Sequence, residues 1–557
     1  MNIEGMLTRD AGAASASCGR DRSVDAAPVR SRVSAFSRAE WMLTTLLVAC
    51  ALAVLGYHSL NEQLRSDELF TTSLLSAASL PKLWKGIALG LDGNPPLYMT
   101  VAWLIAHSLP KLVSSVAALK LANLLAAAFG VAVLGQLARR VVSPAAAWIG
   151  ALLFVTLSNG FIYDASVLRH YALYFLCAAL AALFQQRLIE RRRRSDVAWL
   201  ALANVALAMS HTLGSAYVGI IAFAGWLSRP RGDRTLLLPI VIAVVPAVLA
   251  VVAWSPFLLE QLQVAKPYGW IVPPGLPELI DTVFGSAIMM WISIFEATCL
   301  SSAAVLALKQ DNARLRTVMI DPAGQPLRFV VLVLAGVTGF TLAGWLISRT
   351  LFPLFVIRYF TPQLFTAYAL HVASGEWLIR HRLQYRMAIA AVCAMLAPLI
   401  VHNVMFHAQN SVQGKNVCVG ADGGFFEDSF VDGKLPVIVD STHLFLPRST
   451  YAAHGEAYRF PLDWDVVLKY PNRSRGNAAD FNLMQRLQTW KPEPRVVTTD
   501  DILRVYPRFL VLEQRAWFLN LRTTHQVTAE KLAEFTPTGP DEVPCTLWKV
   551  TRVEPRQ

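Results

Sequence analysis

The sequence predicts a polytopic α-helical membrane protein with a soluble α/β or α+β domain at its C-terminal end. Three observations predict this class. Only 16% of the 557 residues are charged, against about 25% in a soluble globular domain. Mean hydropathy is +0.43, and the apolar residues are concentrated between Trp41 and Met405, in runs suited to a hydrocarbon core of about 30 Å. From Gln409 onward the composition becomes that of an ordinary soluble domain. A disordered chain, a collagen, a coiled coil and a small disulfide scaffold are excluded. The net charge of +12 would point to nucleic acid in a soluble protein. Here the basic residues cluster between apolar spans, as membrane topology requires, and no nucleic-acid partner is expected.

Residues 1–38 are polar and arginine-bearing, too long and too polar for the start of a cleaved signal peptide, and predict a cytoplasmic disordered tail. A first span follows at Trp41–Tyr57. Five basic clusters, at Arg139 and Arg140, Arg187 to Arg194, Arg229 to Arg234, Arg314 to Arg328 and Arg380 to Arg386, mark cytoplasmic loops. Spans then pair between them: Leu121–Leu137, Ala145–Phe161 with Leu168–Phe184, Val197–Ser210 with Leu213–Leu227, and Leu236–Leu258 with a long segment from Leu279 to Leu308. Phe329–Ile347, Tyr359–Ile379 and Met387–Val404 complete about eleven spans, with a cytoplasmic N-terminus and an external C-terminus in a bacterial inner membrane. The segment 60–119 becomes one large external loop. Its apolar stretches Leu69–Leu80 and Pro95–Leu109 are expected to lie along the membrane, because a pair of crossings would have too few residues.

The multispanning part thus covers 39–405, and 406–557 forms an external, periplasmic domain. Its apolar runs Leu435–Asp440, Phe509–Leu512 and Leu547–Val550 read as strands, with helices near Asp501–Val505 and Arg515–Arg522. Gly420, Gly423 and Gly424 do not form a dinucleotide fingerprint. Of the seven cysteines, Cys418 and Cys545 alone lie in this domain. An oxidising compartment favours pairing them, while the absence of a CxxC pair points away from a zinc or redox site.

External polar residues beside the membrane carry the functional signal. The pair Asp67-Glu68 follows the first span. Neighbours in extended chain point to opposite sides, so one of the two is expected to face a given site. In Asp92-Gly93-Asn94-Pro95-Pro96-Leu97-Tyr98, the prolines favour an extended approach and then a helix start, which would hold Asp92 and Asn94 near a helix N-terminus. Tyr163-Asp164 and Arg169-His170-Tyr171 flank the third and fourth spans, and Arg358-Tyr359-Phe360-Thr361-Pro362 opens the tenth. Arg169 and Arg358 lie on the side where arginine is disfavoured, a placement that an anionic partner explains. His211, at a hairpin tip, reads as a cap or a metal ligand. Lys266 opens an external loop, Lys266-Pro267-Tyr268-Gly269-Trp270 before Pro273-Pro274, whose aromatic residues read as interface markers. For each motif the bland alternative is a solvated loop, an ordinary helix start or a snorkelling side chain.

Taken in order, these motifs resemble the GT-C glycosyltransferases, and most of all the bacterial branch related to protein mannosyltransferases and the aminoarabinose transferase of lipid A. The resemblance covers roughly residues 40–405. It implies a polyprenyl-phosphate-linked sugar as donor, transfer on the outer face of the membrane, and a lipid, glycan or protein acceptor, among membrane lipids. The family's acidic residue of the first loop matches Asp67 or Glu68, and that of the second external loop falls on Asp164. Some relatives place Glu-Lys before the proline segment for metal and phosphate, where this chain has Gly93-Asn94. A divalent metal ion held by Asp92 and His211 is therefore an alternative rather than a requirement. Within this frame Asp67 is the expected base, with Glu68 as its neighbour and Asp164 assisting. Arg358, Arg169 and Lys266 are the expected phosphate cations, with Asn94, Tyr98, His170 and Tyr171 beside the substrate. The competing class is a transporter or flippase for a lipid-linked or anionic substrate. It would carry charges near the midplane and broken, repeated helices. Convergence of Asp67, Asp164 and Arg358 discriminates between the two.

Overall fold

The computed structural model describes residues 63–108, 115–229, 233–265, 271–284, 324–380, 418–419, 424–469, 475–513, 516–524, 527–535 and 544–553, with isolated positions between 42 and 59. The expected tail 1–38, Lys266 and the span Met387–Val404 lie outside them.

Three short helices follow residue 65: α1 (Ser66–Leu75), α2 (Leu80–Ala88) and α3 (Leu97–Ser108). At 10, 9 and 12 residues, each is shorter than the about 20 that a perpendicular crossing takes. A bundle follows: α4 (Ser115–Ala138), α5 (Pro144–Leu157), α6 (Asn159–Ser166), α7 (Tyr171–Arg191), α8 (Arg194–Ser210), α9 (Gly214–Ser228), α10 (Leu237–Ala265), α11 (Leu276–Phe284), α12 (Gln325–Thr350) and α13 (Leu364–Arg380). Four helices among the described residues are long and apolar enough to cross a membrane: α4, α7, α10 up to Gln261, and α12. A fifth is counted if α5 and α6, bent by 73°, form one broken span.

Local chemistry sets the breaks. Ser143 caps α5 with Pro144 in its first turn, and Ser158 caps α6 in the same manner by accepting the Phe161 amide at 3.4 Å. The expected span Tyr359–Ile379 is interrupted: Ile357–Gln363 is a 3-10 turn, and the α-helix begins only at Leu364, because Pro362 removes an amide donor. The segment expected to run from Leu279 to Leu308 begins with the nine-residue α11, and its remainder lies outside the described residues. Small residues allow close helix approach. A Cβ on Gly135 would press into the Trp148 ring, and one on Gly150 would lie 2.8 Å from the Val372 backbone.

The C-terminal domain holds a six-stranded sheet in the order β3-β2-β1-β4-β6-β5. Its strands are β1 (Val437–Val439), β2 (Tyr458–Pro461), β3 (Val496–Val497), β4 (Arg508–Glu513), β5 (Val527–Phe535) and β6 (Cys545–Arg552). The first four run parallel, with Val437 opposite both Tyr458 and Leu510, and β6 and β5 add an antiparallel edge. Helices α14 (Thr442–Tyr451), α15 (Trp464–Lys469), α16 (Arg475–Trp490), α17 (Thr499–Val505) and α18 (Ala516–Thr524) lie between the strands. The arrangement is of the α/β kind.

One face of this sheet shares a core with the short helices α1 and α2. Leu69, Phe70, Leu74, Leu83 and Ile87 are buried in the same cluster as Phe445, Tyr458, Phe481 and Trp490. Polar ties follow the apolar ones: Trp490 Nε1 donates to the Lys82 carbonyl at 2.9 Å, and the Leu64 amide donates to the Tyr451 hydroxyl at 3.1 Å.

Cys418 and Cys545 are disulfide-bonded across 127 residues of sequence. Closing a loop of that length stabilises by roughly 4–5 kcal/mol in the chain-entropy model. A Cys418→Ser/Cys545→Ser chain is therefore expected to lower the unfolding temperature of the domain. Unchanged melting, followed by tryptophan fluorescence, would contradict this.

Candidate active site

Asp67 lies in the first turn of α1, not in extended chain as the pair was expected to be. The helical turn separates it from Glu68, and the two carboxylates have different surroundings. Glu68 is 3% exposed. Its Oε2 accepts the Arg65 amide at 2.8 Å, closing a capping box, and its Oε1 accepts the Leu168 amide at 2.6 Å. Glu68 thus fastens α1 to the turn before α7.

Asp67 is turned outward, its side chain 38% exposed, and its Oδ2 accepts Arg358 Nη2 at 3.3 Å. Burial pushes the Asp67 carboxyl up, but the guanidinium charges of Arg169 and Arg358, with His443 and Arg65 behind them, outweigh it. The group is held below its ordinary value of 3.8.

Arg169 reaches the same place from the turn before α7. Its Nη1 donates to the Asp67 carbonyl at 3.4 Å and to Thr71 Oγ1 at 3.2 Å. Asn123 fixes that turn by donating to the Val167 and Arg169 carbonyls at 2.9 and 3.1 Å. Arg358 comes from the 3-10 turn. Its Nη1 donates to the Tyr163 hydroxyl at 3.4 Å, and its guanidinium lies 5.8 Å from the centre of the Tyr171 ring. The buried Nε atoms of Arg169 and Arg358 have no hydrogen-bond partner among the described residues. Buried donors of this kind ordinarily meet an acceptor.

The 73° break between α5 and α6 brings Tyr163 and Asp164 to the same group. Asp164 is 6% exposed, and its Oδ2 accepts the Thr361 hydroxyl at 2.8 Å, three residues from Arg358 in the same turn. Asp67, Asp164 and Arg358 therefore converge.

An aromatic and imidazole layer adjoins them. His170 meets Tyr98 edge-on at 6.2 Å, Tyr171 at 4.2 Å and His211 at 4.9 Å, while His211 stacks on Tyr174 at 4.7 Å and meets Tyr359 at 5.2 Å. Both ring nitrogens of the buried His170 have no hydrogen-bond partner among the described residues.

The metal alternative does not fit this donor set. Among the described residues no three His, Cys, Asp or Glu side chains gather to hold an ion. Asp92 is not a helix cap, since α3 begins only at Leu97; its Oδ1 instead accepts the Asn94 amide at 3.1 Å and Asn94 Nδ2 at 3.0 Å. His211 is the cap of its alternatives: it ends α8, and its Nδ1 accepts the Leu213 amide at 3.0 Å. Two guanidinium groups around one carboxylate suit an anion instead.

Two residues in this group have no place among the sequence motifs. Arg65 Nη1 donates to the Tyr163 hydroxyl at 2.8 Å, and its guanidinium lies over that ring. On the topology expected from the sequence, it carries the same signal as Arg169 and Arg358, an arginine on the disfavoured side. His443, bonded to Ser66 at 2.6 Å, comes from the other domain and has no sequence signal.

No family model and no curated protein sequence matches the chain. Solved structures do. ArnT from Cupriavidus metallidurans in the apo state superposes with a TM-score of 0.52 at 14% identity, covering 92% of this chain and 98% of that one. The same protein bound to undecaprenyl phosphate gives 0.50 at 15% identity with the same coverage. The oligosaccharyltransferase of Archaeoglobus fulgidus in complex with Zn and sulfate gives 0.40 at 11%, covering 84% and 68%, too loose a match to bear on the site. The likeness is one of fold: the chain is similar in architecture to ArnT.

Proposed function

We propose that the chain is a membrane glycosyltransferase that moves a sugar from a polyprenyl-phosphate donor to the hydroxyl of an envelope acceptor on the external face of the membrane. One observation carries the reading: Asp67, half-exposed, is bonded to Arg358 and flanked by Arg169, with orphaned guanidinium donors beside it. The ArnT fold, seen with undecaprenyl phosphate in that protein, supports the choice of donor class.

In this reading the acceptor oxygen attacks the anomeric carbon, the bond from that carbon to the phosphate oxygen breaks, and polyprenyl phosphate leaves with the electron pair. Asp67 takes the hydroxyl proton. Arg358 and Arg169 hold the charge that grows on the phosphate, each as a planar fork. Asp164 holds the Arg358 turn through Thr361 and assists on the acceptor side. Tyr98, Asn94, His170 and Tyr171 line the sugar, and Lys266 joins the phosphate cations. Attack opposite the phosphate inverts the anomeric configuration, which NMR of the product tests.

The resting contact has a consequence. A phosphate arriving at Arg358 competes with Asp67 for the guanidinium. Asp67 then loses part of the attraction that lowers its proton affinity, so donor binding makes it a better base. Undecaprenyl phosphate titrated into the full-length protein in nanodiscs is expected to bind and to weaken as salt rises. Absence of saturable binding would sink the donor assignment.

The reading keeps about eleven spans, with 39–405 as the transferase unit and 406–557 external. The Cys418–Cys545 bridge supports an oxidising side for the latter. A reporter enzyme that works only in an oxidising compartment is expected to be active when fused after residue 405 and silent when fused within Arg191 to Arg194. Activity at the second fusion would invert the topology.

A further inference from the structure

The C-terminal sheet changes winding direction between β1 and β4: the chain runs from β1 out to β2 and β3, then returns to β4 on the other side. In parallel sheets the crevice at such a point, beyond the carboxyl ends of the strands, is where ligands are met. Here its inner part is closed, because Asp440 Oδ2 accepts the Trp517 amide at 3.2 Å and the Thr442 amide donates to Asp480 at 3.3 Å. The outermost residue of the turn behaves differently. Asp440, Ser441, Thr442 and Leu444 are buried, whereas His443 is exposed. It faces α1, where its Nδ1 is 2.6 Å from Ser66 Oγ, one residue from Asp67, and it is close enough to act electrostatically on the Asp67 carboxylate. Its Nε2 has no hydrogen-bond partner among the described residues.

The two flanks of Asp67 therefore have different origins. The bundle supplies Arg358 and Arg169, and a lipid-tailed donor approaches from the bundle. The acceptor has to reach Asp67 to give up its proton, and the C-terminal domain brings His443 to Ser66, the residue next to Asp67. We propose that His443 is an acceptor-binding residue of the Asp67 site, its Nε2 hydrogen-bonding a hydroxyl-bearing acceptor while Nδ1 is held by Ser66; this rests on the transferase reading above. A hydroxyl suits either tautomer, since it donates and accepts.

Amide side chains separate the two ring nitrogens. Asn places its amide where Nδ1 stands, and Gln reaches the position of Nε2. Full-length His443→Ala, His443→Asn and His443→Gln chains, each as the only copy in cells, are compared by the rate at which mass spectrometry sees the chain-dependent envelope species appear. The same proteins in nanodiscs are titrated with undecaprenyl phosphate. All three are expected to bind undecaprenyl phosphate within about twofold of wild type. His443→Ala and His443→Asn are expected to slow transfer about tenfold, the worth of one hydrogen bond to substrate, and His443→Gln to recover most of it. Rescue by Asn and not by Gln would mean that His443 only tethers Ser66, and would overturn the proposal. So would three variants with wild-type rates, or lost undecaprenyl phosphate binding in His443→Ala. A wild-type chain that neither binds undecaprenyl phosphate nor changes any envelope mass would instead overturn the transferase reading itself.

Discussion

Asp67→Asn is expected to lower transfer by about 10²–10⁴-fold, the usual worth of a positioned acid–base group. The amide keeps the size of the carboxylate and removes the charge that competes with phosphate for Arg358, so protein level changes little and undecaprenyl phosphate binding is not weakened. What it loses is the capacity to take the acceptor proton. The pH dependence follows from the same contacts. The base works ionised, and its value is depressed below 3.8 by Arg169 and Arg358. Activity is therefore present above that range and lost as pH falls through it, so kcat/KM is expected to stay level from pH 7 to about pH 5. Glu68→Gln serves as the contrast. Glu68 accepts two backbone amides, so its substitution is expected to lower the melting temperature rather than to remove a base. Full turnover by the Asp67→Asn chain would eliminate the proposed base.

The second large effect concerns Arg358. Arg358→Ala removes the guanidinium bonded to Asp67 and to the Tyr163 hydroxyl. Removing one preorganised donor at a developing charge costs about 10²–10³-fold in rate. Undecaprenyl phosphate affinity should fall with it, since the same fork is proposed to hold the phosphate in the ground state. Arg358→Lys restores the charge but not the fork, and is expected to recover only part of the loss. Loss of Arg358 also relieves Asp67 of one lowering charge, so the acid limb of the pH profile should move up. A variant with wild-type affinity and rate would show that Arg358 only pairs with Asp67 at rest.

The sequence made the apolar bundle and the C-terminal strands legible because both rest on composition and periodicity. Val437–Val439, Arg508–Glu513 and Cys545–Arg552 fall on apolar runs of strand type. It made Asp67, Arg169 and Arg358 legible because charge beside apolar spans is costly and therefore informative. It could not separate Asp67 from Glu68, because their difference lies in the Leu168 amide, 100 residues away in sequence. Nor could it reveal that Asp92 is held by Asn94, or that Pro362 lies within a 3-10 turn at the site rather than opening a span. His443 was invisible for the same reason. Its meaning depends on the docking of one domain on another, through Phe70, Leu74, Phe445 and Trp490.

The most direct measurement is mass spectrometry of envelope lipids and glycans from cells that lack the chain, carry it, or carry Asp67→Asn. The account predicts a species heavier by one sugar residue that is present only with the wild-type chain and absent from the other two. Identical spectra in all three would contradict it.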